Sequence, residues 1–116
     1  MHAQIKYVID HLKFKHGKIY VDLSAGQHTP LGRIIGKIYN TNVLHCLEKD
    51  VECFGCPYTG GQHKLELVCR PLDAIEMVEL IKEEALAKFT LTPDECQVAH
   101  ELSYISQEIH VLRKQM

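Results

Sequence analysis

The residues most able to do chemistry lie between His45 and Cys69, in HCLEKDVECFGCPYTGGQHKLELVC. Cys53-Phe54-Gly55-Cys56 is a C-x-x-C, a spacing at which two thiolates can bind one tetrahedral ion from a tight turn. The glycine lets the backbone curl so that N–H groups face the sulfurs, and Pro57 stiffens the exit. A closed site needs two more ligands. Cys46 stands seven positions before Cys53, and His63 stands seven positions after Cys56. We therefore expect a zinc site of Cys46, Cys53, Cys56 and His63. His45 is the alternative to Cys46, and Cys69 the alternative to His63. Four thiolates from positions 46, 53, 56 and 69 would also suit an iron–sulfur cluster.

Two catalytic readings compete with a structural metal. A redox C-x-x-C would use Cys53 and Cys56 as a thiol oxidoreductase. Such motifs normally lie between a strand and a helix N-terminus, whereas PYTGGQ after Cys56 reads as a turn. A hydrolytic zinc would need an open coordination position and a nearby base, for which Glu48 and Glu52 are candidates. The zinc-deaminase pattern of H-x-E with a distant P-C-x-x-C is not met: His45 and Glu48 are one position too far apart, and Glu52 precedes Cys53. H-E-x-x-H is absent.

The elements that must hold this loop follow from periodicity. Ile5, Tyr7 and Ile9 alternate, as do Leu12 with Phe14 and Ile19 with Val21 and Leu23. That is the period of half-buried strands, so residues 4–14 and 18–24 are expected to form a hairpin. Lys15-His16-Gly17-Lys18 supplies its turn, and a bulge near Asp10-His11 absorbs a slip in phase. After a loop at 24–28, Thr29-Pro30 opens a helix with Leu31, Ile34, Ile35, Ile38 and Tyr39 on one face. Asn40 stops it. Strands are expected at 42–47 and 64–70, and 16 residues, 47–62, separate Cys46 and His63 at their ends. A connection of that length is awkward for a hairpin unless something staples it, which a metal would do.

Two helices complete the chain. Leu72–Phe89 carries Ala74, Val78, Ile81, Ala85 and Phe89 on one face, and Thr92-Pro93-Asp94-Glu95 is a capping box that starts the second. In that helix Val98, Leu102, Ile105, Ile109, Leu112 and Met116 follow steps of four and three, the spacing of a coiled-coil seam. The seam packs either on helix 72–89 or on a second subunit. The expected fold is α+β, a small antiparallel sheet in β-β-α-β-β-α-α order. It forms one domain over 1–116: sheet, helix and metal loop in 1–71, and a helical hairpin in 72–116 that is a candidate dimerisation element.

Composition agrees with one soluble domain: 116 residues, 46% apolar and 24% charged. Five cysteines, an odd number, with enough apolar residues for a core, point to reduced thiols and a cytoplasmic setting rather than a disulfide scaffold. MHAQIKYVIDHLKF is too charged for a signal peptide, and no apolar run is long enough to span a membrane. Net charge is -2, divided into +3 over residues 1–70 and -5 over 71–116. Nucleic-acid binding through Lys13, Lys15, Lys18, Arg33 and Lys37 is the polyanion reading of that asymmetry. Thr29, Arg33 and Lys37 are also a minor candidate for anion binding at a helix start. The remaining histidines, at 2, 11, 16, 28, 100 and 110, read as surface or sheet-face residues, and Cys96 as a half-buried structural thiol.

Two short stretches resemble known families. Gly32-Arg33-Ile34-Ile35-Gly36-Lys37-Ile38-Tyr39, followed by the cysteine-containing strand pair, resembles the vinyl-reductase-type small-molecule-binding domain over about half the chain. Ser106-Gln107-Glu108-Ile109 is similar to the S-Q-E-L-D signature of the small aspartyl-phosphate phosphatases acting on sporulation regulators. His110 stands where that family has its essential Asp, so its activity is not implied here. Neither resemblance names a substrate. The residues themselves imply a small metal-binding regulatory or binding module with a protein or small-molecule partner.

Overall fold

Helical spacing overrides strand spacing at the start of the chain. In the computed structural model, residues 3–10 form helix α1 (Ala3–Asp10), where the alternation of Ile5, Tyr7 and Ile9 suggested a strand. Ile5 and Val8 are buried, Ile9 and Leu12 pack beside them, and Tyr7 faces outward. Positions 5, 8, 9 and 12 are one stripe of a 3.6-residue period. The imidazole of His2 caps the helix by accepting the N–H of Gln4, and Lys6 pairs with Asp10 one turn on. The expected bulge at Asp10-His11 is the end of this helix. The structure describes residues 1–23, 25–26, 28–38, 52–55, 62–63 and 65–115, with side chains over 1–23, 28–38 and 65–115.

The hairpin follows, shortened at its first arm: β1 (Lys13–Lys15) pairs antiparallel with β2 (Lys18–Asp22). His16 and Gly17 both have positive φ, 53° and 77°, the two-residue turn whose twist matches the flanking strands. After β3 (Ala25–Gly26), Thr29 caps α2 (Pro30–Ile38) by accepting the N–H of Gly32 at 3.1 Å. Leu31, Ile34, Ile35 and Ile38 are buried as their spacing requires.

The segment expected to be a plain loop contains β4 (Glu52–Gly55). It pairs antiparallel with β6 (Leu65–Cys69), while the intervening β5 (Gln62–His63) pairs with β3. The main sheet runs β1-β2-β6-β4, all antiparallel. The strand expected at 42–47 lies outside the described residues. One face of the sheet carries Ile19, Val21, Leu65, Leu67 and Cys69 into the core. The other carries Tyr20, Asp22 and Glu66 toward solvent.

Helix α3 (Pro71–Lys88) covers the apolar face, and α4 (Pro93–Lys114) packs on α3, with α1 and α2 also against α4. Pro71 takes the first turn of α3, and Thr92 with Glu95 forms the full capping box at the start of α4. Ser103 donates to Glu79 and accepts from Lys82, so α4 lies back along α3. Val98, Leu102, Ile105 and Ile109 are all fully buried in this one chain. These four seam positions pack within the chain, where α4 meets α1, α2 and α3. No helix among the described residues is long and apolar enough to cross a membrane. The fold is α+β, and the described residues follow the order α-β-β-β-α-β-β-β-α-α where β-β-α-β-β-α-α was expected.

Candidate functional site

The four expected metal ligands divide into two that the structure locates and two that it does not. Cys53 is the second residue of β4, opposite Leu67 of β6, and His63 is the last residue of β5, opposite Ala25. Cys46 and Cys56 lie outside the described residues, as do His45 and Glu48. The strand ladder nevertheless constrains the loop. Gly55 pairs with Leu65, and that rung closes the β4–β6 hairpin. Cys56 is bonded to Gly55 and His63 is two residues ahead of Leu65, so the chain leaves the rung toward Cys56 on one arm and His63 on the other. The connection beyond that rung is the nine residues 56–64 rather than 47–62, and within it Gln62 and His63 pair with β3.

Cys69 is a poor fit to the same centre. It pairs with Ile19, four residues beyond the closing rung, and its side chain is fully buried in the core. Four strand residues span roughly 13 Å, well beyond the ~2.3 Å of a zinc–thiolate bond. Glu52 stands opposite Val68. Among the described residues, no group of three or more His, Cys, Asp and Glu side chains is gathered closely enough to hold a metal.

The basic residues of α2 lie against a buried carboxylate. Glu95 is 2% exposed, and its Oε2 accepts from Lys37 Nζ at 2.9 Å, with Arg33 Nε at 3.9 Å. Lys37 also donates to the Thr90 carbonyl at 3.2 Å, and Arg33 to that of His28 at 2.8 Å. Burial raises the Glu95 pKa, and this is outweighed by the Lys37 ammonium and the Thr92 N–H and hydroxyl. The net displacement is below 4.5. These two cations are counterions of a buried carboxylate. Thr29 is committed to the cap of α2. Of the expected five-residue basic set, Arg33 and Lys37 lie on α2 beside Glu95, and Lys13, Lys15 and Lys18 lie on the β1–β2 hairpin.

The outer face of the sheet presents a feature that sequence patterns did not show. A cleft of about 190 Å³ is lined by Tyr7, His11, Lys13, Tyr20, Asp22 and Glu66, over a floor of Val21, Leu67 and Val68. Tyr7 and His11 stack with ring centroids 3.9 Å apart and planes 23° from parallel. One helical turn brings those two rings into contact, whereas four residues of strand would hold them roughly 13 Å apart. The segment similar to the phosphatase signature is built into α4, with Ser106 and Ile109 buried. Cys96 lies half-buried in the first turn of α4.

Comparison with protein-family models, with curated proteins and with solved structures found no match to this chain.

Proposed function

We propose that the chain is a small metal-binding module, regulatory or binding rather than catalytic. In this reading one zinc ion is held by Cys46, Cys53, Cys56 and His63, and the α+β body is the surface that meets a protein or small-molecule partner. The observation that carries it is the rung between Gly55 and Leu65. Its two arms lead immediately to Cys56 and His63, with Cys53 on the strand just before. A metal there would tie the end of β4 to β5 beyond the last β4–β6 rung, a role in which its binding energy contributes to folding.

The burial of Cys69 favours the Cys/His set over a four-cysteine iron–sulfur cluster. The position of Cys53 within a strand, rather than in the first turn of a helix, removes the usual means of lowering a thiol pKa. That favours a structural thiolate over a thiol oxidoreductase. Homodimerisation through the C-terminal helix would have to use its outward residues, Tyr104 and Val111, both exposed.

Titration of metal-free protein with Co²⁺ tests the ligand set. The reading expects a thiolate-to-cobalt absorption that saturates at one equivalent. It should be lost in Cys53→Ser, Cys56→Ser and Cys46→Ser, reduced in His63→Ala, and unchanged in Cys96→Ala. Full absorption in Cys53→Ser would overturn it.

A further inference from the structure

Helix α1 has a histidine at each end, and the two rings hold the helix in opposite ways. His2 Nδ1 accepts the N–H of Gln4 at 3.2 Å, so this ring caps the helix only while Nδ1 is without a proton. His11 Nδ1 lies 2.8 Å from the Tyr7 carbonyl oxygen, an acceptor, so that ring carries its proton on Nδ1. A second proton therefore removes the contact at His2 and preserves the one at His11. The helix dipole acts in the same sense, since a cation is unfavourable at the start of α1 and favourable at its end. His11 is held further by its stacking on Tyr7.

The first turn of α1 is also the part that ties it to other helices. The His2 N–H donates to Glu101 Oε1 on α4, and Gln4 Oε1 accepts the N–H of Leu31 at 3.0 Å in the first turn of α2. Ile5 is fully buried beneath that turn. The charged groups facing His2 are Glu101 and the terminal ammonium of Met1, which lies 3.8 Å from Glu101 Oε1, while Lys6 is held by Asp10 within α1. A doubly protonated imidazole has no acceptor left, so the cap is lost whether or not the ring then turns toward Glu101. Ile5, Tyr7, Val8 and Ile9 are weaker helix formers than Ala or Leu, so this eight-residue helix depends on its cap and its packing. We propose that α1 is a proton-operated strap: protonation of His2 from solvent unlatches its first turn from α4 and α2, while His11 keeps its last turn in place. Opening uncovers Glu101, the start of α2 and the apolar surface under Ile5. The strap is independent of the metal reading.

Amide exchange of the intact chain, followed by NMR through the titration of the His2 ring, tests this. The ring C–H shifts report the charge on His2. The Ile5 and Lys6 amides, which donate to the His2 carbonyl, report the first turn. Their protection factors should fall roughly fivefold as His2 becomes charged, the effect of losing one cap. The Leu12 amide, which donates to the Ile9 carbonyl, should keep its protection. His2→Asn supplies a cap that does not titrate and should hold the higher protection throughout, whereas His2→Ala should show the lower protection throughout. Undiminished protection with His2 charged, an equal fall in His2→Asn, or protection in His2→Ala equal to that of the natural chain at neutral pH would each overturn the proposal.

Discussion

Lys37 Nζ lies 2.9 Å from Oε2 of Glu95, joining the last turn of α2 to the first turn of α4. Glu95 at the same time closes the capping box with Thr92 through reciprocal 3.2 Å hydrogen bonds. One buried carboxylate thus serves a helix cap and an inter-helix tie. Lys37→Met leaves it with only the more distant Arg33 as counterion. We expect a loss on the order of 2 kcal/mol, read from urea denaturation. Thr92→Ala should lose about 1 kcal/mol through the cap alone.

The same carboxylate imposes a pH dependence. Its folded-state pKa is below 4.5, so the stability it contributes is fully present above that value. It is lost as pH falls through the folded pKa, because the unfolded chain takes up the proton first. Denaturation midpoints measured from neutral pH down to the acid range should therefore fall less steeply at the acid end in Glu95→Gln than in the natural chain. Parallel curves would show that Glu95 does not carry this linkage.

Gly17 has φ of +77° and no atom within 4 Å of where a β-carbon would sit. Gly17→Ala thus meets no neighbour and pays only the left-handed backbone penalty. The expected loss is about 1 kcal/mol, with the native fold retained by NMR. A neutral outcome would mean that the β1–β2 turn differs from the positive-φ pair at His16 and Gly17.

The buried seam of α4 predicts how the chain unfolds. Leu102 is fully buried within one chain, so Leu102→Ala should lose 2–5 kcal/mol or so by leaving a cavity. Because the seam is satisfied internally, the midpoint should not depend on protein concentration in either form. A midpoint that rises with concentration would show that folded chains associate, through the seam or through the outward Tyr104 and Val111.

Much of this architecture was legible in local chemistry. Thr29-Pro30 and the Thr92–Glu95 box announce helix starts through donors they satisfy, and both helices begin there. The turn at His16-Gly17 was equally plain. Ile5 and Ile9 fit a strand and a helix alike, and Tyr7 tipped the reading to a strand, while Val8 carries the helical answer by its burial. The seam spacing of Val98 to Ile109 specifies an apolar stripe and leaves its partner open, which only packing decides. Strands of two and four residues, such as β5 and β4, are too short to leave a period. The cleft joins α1 to β1, β2 and β6, a proximity that no sequence spacing expresses.

The metal reading rests on Cys53 and His63 lying on strands that lead to one hairpin end. Zinc and iron content of the protein purified without chelators tests it most directly. Close to one zinc ion per chain is expected, lost in Cys53→Ser together with a marked drop in thermal stability. A natural chain that carries no metal, and whose melting is unchanged by added zinc or by chelator, would contradict it.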